Sequence, residues 1–292
     1  MMNKPVIGAS RPLSAQTIGT LWQAHPFFSP DGLGRQANPA IHAAWAPRQH
    51  IAPAAPAVTR TSGRQAQAGF EEVTLLLDGD LMVHTTIPDA GNQTNTLVQT
   101  GDVLWNGAGS GIFTEKRVGP VLNRTGGILS ALTLWINLPA RFKASAPCLQ
   151  HLRSALVPTI ALDGEAGSMR PIAGRFKDCE GPIETVQPLQ LWDIHVRAGS
   201  KVSLPLPAGW YAQILVLAGC LDMAFWPDPL HAPQLVLLDA AGDGVTFTAR
   251  EAAHLVLLCC EPLNEPVAIH EQLVLNTSSQ LAETRTRLAS AD

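Results

Sequence analysis

The chain has 292 residues, of which 46% are hydrophobic and 15% charged, and its formal net charge is −4. This composition can form a substantial core, which excludes an intrinsically disordered protein. Its Lys and Arg residues are scattered and no run of about 18 apolar residues occurs, so neither direct nucleic-acid binding nor a membrane span is predicted. We expect a cytoplasmic protein whose partner is a small molecule or another protein.

The predicted elements are almost all short β-strands. Residues 1–60 are rich in Ala and Pro and are expected to be a lead-in that packs partly on the β-rich remainder of the chain. From EVTLLLDGDLMVHTTI (72–87) to AAHLVLLCC (252–260), short β-type runs each end at Gly, Pro or Asp, which predicts an all-β sandwich or barrel. Only the tail has a helical pattern, with Thr277 and Gln280 as a capping box and leucines at 281 and 288.

An internal repeat relates the two halves. GFEEVTLLLDGDLM begins at Gly69, GWYAQILVLAGCLDM begins at Gly209, and each has a turn glycine ten residues on, at Gly79 and Gly219. LTLWINLP (132–139) is loosely matched by LVLLCCEP (255–262). The repeat predicts two tandem β-barrels. We expect the first barrel at 61–145, a connecting segment at 146–185, the second barrel at 186–275, and a C-terminal helix or tail at 276–292.

Four segments, taken together, resemble the pirin family of bicupins. They are GFEEVTLLLDG, TGDVLWNGAGSGI, LTLWINLPA and EPLNEPVAIHEQLVLNT, and they follow the family's order and spacing across roughly residues 20–285. The resemblance implies a fold of two tandem cupin-type β-barrels with a short C-terminal helix. Some pirins cleave quercetin as dioxygenases, and others are described as transcriptional cofactors that sense redox state through iron.

The resemblance also implies where a metal would bind, and this chain departs from the pattern there. The family holds iron with a His-x-His pair just before Gly-Phe-Glu and a His-x-Glu pair just after Gly-Ile. At these four positions the chain has Gln65, Gln67, Thr114 and Lys116. A one-residue slip would supply Glu115 as the carboxylate but would put Phe113 in place of the third His. Amides are weak ligands and an ammonium group opposes a cation, so we expect no metal and no iron cofactor.

Strand periodicity indicates that the altered residues still share one pocket. Gln65 and Gln67 are two apart, as are Thr114 and Lys116, and such pairs point to the same side of a strand. Three interpretations remain open. In the first, Glu71 or Glu115 neutralises Lys116 and the pocket is structural only. In the second, Lys116 anchors an anionic or phenolic small molecule. In the third, the pocket catalyses a metal-free step on a phenolic or carbonyl compound.

Candidate catalytic residues are Lys116, Glu71 and His84, and candidate ligand-binding residues also include Glu115 and Trp105. His84 follows the Asp78-Gly79 turn and is either a pocket acid or base or a hydrogen-bonded wall residue. Trp105 faces either the pocket or the core, depending on register. A regulatory role with a protein partner, and a quercetin 2,3-dioxygenase that recruits metal unconventionally, are the remaining alternatives.

Overall fold

A computed structural model of the protein describes residues 1–28, 40–54 and 59–291. The strands of the N-terminal half are β1 (Val6–Ser10), β2 (Gln16–Ile18), β3 (Trp22–Phe28), β4 (Ala40–Ile51), β5 (Gln65–Gln67), β6 (Phe70–Asp78), β7 (Asp80–Ile87), β8 (Asn92–Gln99), β9 (Val103–Gly107), β10 (Ile112–Val118), β11 (Gly127–Asn137) and β12 (Cys148–Leu152). The remaining strands are β13 (Ile160–Ala161), β14 (Gly167–Ala173), β15 (Arg175–Phe176), β16 (Cys179–Glu180), β17 (Leu189–Val196), β18 (Lys201–Pro205), β19 (Tyr211–Ala218), β20 (Cys220–Met223), β21 (Leu230–His231), β22 (Gln234–Leu238), β23 (Gly244–Ala249), β24 (Ala253–Cys260), β25 (Ala268–His270) and β26 (Leu273–Leu275). The α-helices are α1 (Pro120–Thr125) and α2 (Ser278–Ser290).

The chain divides into two compact units, each made of two separate stretches. The first-barrel unit contains Leu13–Ser154 and Asn264–Asp292, and the second-barrel unit contains Met1–Pro12 and Ala155–Leu263. This division differs from the boundaries expected from the sequence. The expected lead-in (1–60) is shared between the units, most of the expected connecting segment (146–185) contributes strands to the second-barrel unit, and the C-terminal tail packs with the first barrel.

The first-barrel unit contains a seven-stranded sheet in the order β12-β9-β6-β11-β4-β3-β2 and a four-stranded sheet in the order β5-β10-β7-β8. Alternate residues of both sheets turn inward, as the two-residue period of a strand requires. They form a core that includes Leu76, Leu104 and Ala131 from the larger sheet and Leu81 and Val83 from the smaller one. Polar residues occupy part of the same inner face.

The second-barrel unit repeats this architecture. Its larger sheet has the order β1-β22-β19-β24-β17-β14-β13 and its smaller sheet has the order β18-β23-β20-β21. The inward residues are apolar along the central strands, including Trp192, Ile194, Ile214, Leu255 and Phe247. The prediction of an all-β chain with two barrels is confirmed.

The glycines of the sequence repeat occupy equivalent turns. Gly79 lies between β6 and β7 with φ +94°, and Gly219 lies between β19 and β20 with φ +84°. A Cβ atom at these positions would come within 2.7 Å of the Ile128 carbonyl oxygen and within 2.4 Å of the Ala252 carbonyl oxygen. Glycine is therefore required at both turns by conformation and by space.

A buried lysine joins a terminal segment to the barrel in each unit. Lys4 Nζ donates hydrogen bonds of 2.9–3.0 Å to the carbonyl oxygens of Trp210, Ala240 and Gly242. Lys143 Nζ donates 2.8 Å bonds to the carbonyl oxygens of Gly69 and Val274, and a further bond to Asn137 Oδ1. These contacts explain why residues 1–12 belong with the second barrel and the C-terminal stretch with the first.

Both helices lie in the first-barrel unit. The predicted capping box of α2 is confirmed, because Thr277 Oγ1 accepts a hydrogen bond from the Gln280 amide and the Gln280 side chain accepts one from the Thr277 amide. Helix α1 was not predicted. It has only six residues, and the Asp80 carboxylate accepts hydrogen bonds from its first free amides, those of Val121 and Leu122. Neither helix has the length and apolar character that crossing a membrane requires.

Candidate binding site in the first barrel

The two glutamines and Thr114 come together on the inner face of the smaller sheet. Strand β5 pairs with β10 in a register that sets Gln67 opposite Ile112 and Gln65 opposite Thr114. Gln67 and Thr114 are buried, whereas Gln65 is partly exposed. The predicted clustering of these residues is therefore present, and Gln65 lies at its more open end.

Lys116 forms a buried ion pair with Glu72, which lies on β6 of the larger sheet. Its Nζ lies 2.7 Å from Glu72 Oε1 and donates a 3.0 Å hydrogen bond to Thr74 Oγ1. The two charged side chains are only 8% and 4% exposed. Each charge is therefore removed from water and depends on the other for compensation. This pair joins the two sheets inside the barrel.

Gln67 extends this network to the C-terminal stretch. Its Nε2 donates one hydrogen bond of 3.0 Å to Glu72 Oε2 and another of 2.8 Å to the Oε1 atom of Gln272. Gln272 lies in the tight turn between β25 and β26, which pair through His270 and Leu273. The Glu72 carboxylate is thus contacted by an ammonium group on one oxygen and by an amide on the other.

Asn106 brings an unpaired amide to the same place. It lies opposite Glu72 on the neighbouring strand β9, so both side chains are on the inner face. Asn106 is 1% exposed, yet neither of its amide atoms has a hydrogen-bond partner within residues 1–28, 40–54 and 59–291, and the same holds for Gln67 Oε1. Buried amides without partners are costly and usually contact a water molecule or a ligand.

An aromatic wall lies on the other side of Glu72. Trp135 on β11 is the cross-strand partner of Glu72, and its ring centroid is 4.7 Å from that of Phe70. Val274 packs against these two rings. The site therefore combines polar groups on β5, β6, β9 and β10 with an apolar wall formed by Phe70 of β6, Trp135 of β11 and Val274.

Glu71 and Trp105 do not face this site. Glu71 precedes Glu72 on β6, so its side chain points to the opposite side of the sheet. Trp105 pairs with Val73 and lies on that same opposite face. Burial raises the pKa of the Glu71 carboxyl to about 7. The expectation that Glu71 neutralises Lys116, and the assignment of Glu71 and Trp105 to the pocket, are wrong because adjacent residues alternate between faces.

Glu115 and His84 lie on the outer face of the smaller sheet. They are cross-strand partners, and Glu115 accepts hydrogen bonds from Thr61 Oγ1 and from Arg117 Nη2. The hydrogen bond from Arg117 is the largest cause of a lowered pKa for Glu115. His84 contacts Asn95 and lines an external groove of about 240 Å³. Glu115 therefore does not neutralise Lys116, and neither residue faces the inner site.

Sequence reasoning missed Glu72, Asn106, Trp135 and Gln272. The two-residue period of β6 puts Glu72 and Thr74 on one face and Glu71 on the other, but the sequence does not show which of these faces is the inner one. Asn106 and Trp135 follow from strand pairing, which the sequence does not specify. Gln272 comes from a turn 205 residues away from its partner Gln67.

Comparison with known proteins places the chain in a family. Residues 191–290 match the model of the pirin C-terminal cupin domain. A Pseudomonas aeruginosa protein named "Putative quercetin 2,3-dioxygenase" is 31% identical over 278 residues, which cover 95% of this chain and 94% of that protein. Pirin of Mus musculus is 30% identical over 220 residues, which cover 74% of this chain and 71% of that protein. The chain belongs to the pirin family.

A solved structure agrees with the pirin-family assignment. The crystal structure of a quercetin 2,3-dioxygenase from Acinetobacter baumannii has a TM-score of 0.92 and 27% sequence identity, covering 99% of this chain and 97% of that one. The resemblance to pirins seen in the sequence motifs is confirmed, and so is the fold of two cupin barrels with a short C-terminal helix.

Proposed function

We propose that this pirin-family protein binds a small neutral polar molecule, of the phenolic or carbonyl class, in its first barrel without a metal ion. The observation that carries the proposal is the Lys116–Glu72 ion pair, whose 2.7 Å contact lies inside the barrel beside unpaired amide groups. A pocket lined by apolar walls and a few convergent polar groups is the usual form of a small-molecule site.

The side chains at the family's metal position do not fit a metal ion. The resemblance assigns the ligand positions to Gln65, Gln67, Thr114 and Lys116, which supply two amides, a hydroxyl and an ammonium group. Amides and hydroxyls are weak ligands for iron, and the ammonium group repels a cation. The nearby carboxylate of Glu72 is already engaged by Lys116 and Gln67. No step of the proposed function therefore passes through a metal.

Charge balance favours a neutral ligand over an anion. The positive charge of Lys116 is matched by Glu72, so an incoming anion would gain no unpaired cation and would lose its hydration. This revises the expectation that Lys116 anchors an acidic molecule. Asn106 can donate and accept a hydrogen bond, Gln67 Oε1 can accept one, and Phe70 and Trp135 can contact a ring.

A metal-independent enzyme acting on the same class of compound is the second candidate. Two relatives, at 31% and 27% identity, carry the name quercetin 2,3-dioxygenase. Quercetin is a phenolic compound, so these names favour a substrate of that class. In such an enzyme Lys116 and Glu72 would orient the substrate and exchange a proton with it. A quercetin 2,3-dioxygenase that acquires metal through other residues, and a regulatory role through a protein partner, are less well supported by this donor set.

Phenol and benzoate provide a matched test, because they share a ring and differ in charge at neutral pH. In ligand-observed NMR titrations we expect phenol to bind and, in a separate titration, quercetin to bind as well. Benzoate should bind at least about tenfold more weakly than phenol. Asn106→Ala should weaken phenol binding about tenfold, because one buried hydrogen bond is lost. Asn95→Ala is the control, since Asn95 is exposed on the outer side of the same barrel.

The outcomes separate the alternatives. Tighter binding of benzoate, lost in Lys116→Ala, would contradict the neutral-ligand proposal and restore the anionic one. If neither compound bound at millimolar concentration, the barrel interior would have only a structural role. Turnover of quercetin by metal-free protein, lost in Asn106→Ala, would support the enzyme.

A further inference from the structure

A second group of polar residues lies in the second-barrel unit, on the outer face of its seven-stranded sheet. Asp193 and His195 are two apart on β17, and His254 on β24 is the direct cross-strand partner of His195. The adjacent residues Trp192 and Ile194 belong to the barrel core, so the three polar side chains project from the opposite face. This cluster is distinct from the first-barrel site.

The ligand atoms of the three residues are grouped closely enough for a metal ion. His254 Nε2 lies 2.7 Å and His195 Nε2 lies 3.9 Å from Asp193 Oδ1, and all three atoms lie within 4.8 Å of one another. Tetrahedral zinc with bonds of about 2.0–2.1 Å requires ligand atoms about 3.3 Å apart. The observed distances of 2.7 and 3.9 Å bracket this value, so metal binding would need the His254–Asp193 distance to widen and the His195–Asp193 distance to shorten by about 0.6 Å each.

Exposure and charge also suit a metal site. The side chain of Asp193 is 6% exposed, that of His254 19% and that of His195 54%. A fixed carboxylate with an open side would leave room for ion entry and for a water ligand. Arg170 Nη1 contacts Asp193 Oδ2 at 3.2 Å, which directs Oδ1 towards the histidines. The nearby guanidinium charge also predicts moderate affinity.

The two histidine rings lie side by side, with both Nε2 atoms near the same carboxylate oxygen, Asp193 Oδ1. Their rings are stacked, with centroids 4.1 Å apart and an interplanar angle of 14°. The ring nitrogen of imidazole is a common metal ligand, so this arrangement offers two such nitrogens beside one carboxylate oxygen.

We propose that Asp193, His195 and His254 form a binding site for a divalent transition-metal ion, with two nitrogen ligands and one oxygen ligand. This donor set suits Zn²⁺, Co²⁺, Ni²⁺ or Fe²⁺ and is a poor match for Ca²⁺ or Mg²⁺, which prefer oxygen. The site lies outside both barrel interiors and does not depend on the function proposed for the first barrel.

Cobalt titration tests this site. Addition of Co²⁺ to the full chain should produce visible absorption bands that saturate at one equivalent and disappear when Zn²⁺ is added. His195→Ala and His254→Ala should each weaken Co²⁺ binding about tenfold or more. His231→Ala, a histidine substitution elsewhere in the same unit, should leave the titration unchanged. Asp193 is not substituted because it is buried and also pairs with Arg170.

Folding of each variant is checked by thermal unfolding, and His195 is exposed enough for its removal to be tolerated. No saturable absorption in the wild-type protein would overturn the proposal. The proposal would also be overturned if His195→Ala bound Co²⁺ as the wild type does. The same holds if His231→Ala weakened Co²⁺ binding as much as His195→Ala and His254→Ala.

Discussion

Replacement of Lys116 by Met should lower the free energy of unfolding by about 3–5 kcal/mol, because it leaves the Glu72 carboxylate buried without its partner. Glu72 is 4% exposed and, among the described residues, would keep only the hydrogen bond from Gln67 Nε2. Met has a similar length to Lys and fills the same space, so the loss would report the charge and not a cavity. Urea unfolding of wild type and variant measures the difference.

A double-mutant cycle shows whether the pair acts as a unit. Glu72→Gln should also be strongly destabilising, whereas Lys116→Met combined with Glu72→Gln should cost much less than the sum of the two, because no unpaired charge remains. Arg48→Met is the control for an exposed ion pair. Arg48 and Asp78 are 67% and 31% exposed, and we expect a loss below about 1 kcal/mol there. Additive effects of the two core substitutions would contradict the buried pair.

Replacement of Lys143 by Met should also destabilise the first-barrel unit, by about 2–4 kcal/mol, because buried oxygen acceptors lose their donor. Lys143 is 5% exposed, and its Nζ contacts the carbonyl oxygens of Gly69 and Val274 and the side chain of Asn137. Arg141→Met, two residues away and directed elsewhere, is the control. An equal effect of the two substitutions would show that the Lys143 contacts do not secure the C-terminal stretch.

The cost of Lys143→Met should depend on pH. Burial lowers the pKa of Lys143 from 10.5 to about 7, with a smaller opposing effect of Glu265. Between these two values the unfolded chain binds more protons than the folded chain, so this group makes stability rise with pH from about 7 to about 10.5. The Met variant lacks this contribution. The wild type should therefore gain stability relative to the variant across that range, and a constant difference would contradict the lowered pKa.

Much of the fold could be predicted from the sequence because its signals are local. The turn glycines at 79 and 219 and the two-residue period around Gln65 and Gln67 specify turns and inner faces without knowledge of the partner strands. The same period correctly placed Thr114 and Lys116 on one face. What it could not decide was which of two adjacent glutamates meets Lys116. That contact joins β6 and β10, which belong to different sheets. A shift of β6 by one residue would put Glu71 on the inner face in place of Glu72.

The second-barrel cluster could not be predicted for a related reason. The spacings HxH and HxxxH describe ligands on one strand or one helix, and the histidines of this chain have neither. Here Asp193 and His195 form an Asp-x-His pair, and the third residue, His254, lies 61 residues from Asp193 on a neighbouring strand. Only the register of β17 with β24 brings it opposite His195. The partners of Gln67 and Glu72 likewise depend on long-range pairing.

Whether the first barrel is free of metal is tested most directly by the metal content of the protein purified without chelators. It is measured in a His195→Ala/His254→Ala background, so that the second-barrel cluster cannot contribute. We predict well below about 0.1 iron, nickel or zinc per chain there, and near one per chain after Gln65→His, Gln67→His, Thr114→His and Lys116→Glu are added to supply the ligands that a metal requires. Near one metal per chain before that change, with anomalous scattering that places the ion beside Gln67 and Lys116, would contradict a metal-free first barrel.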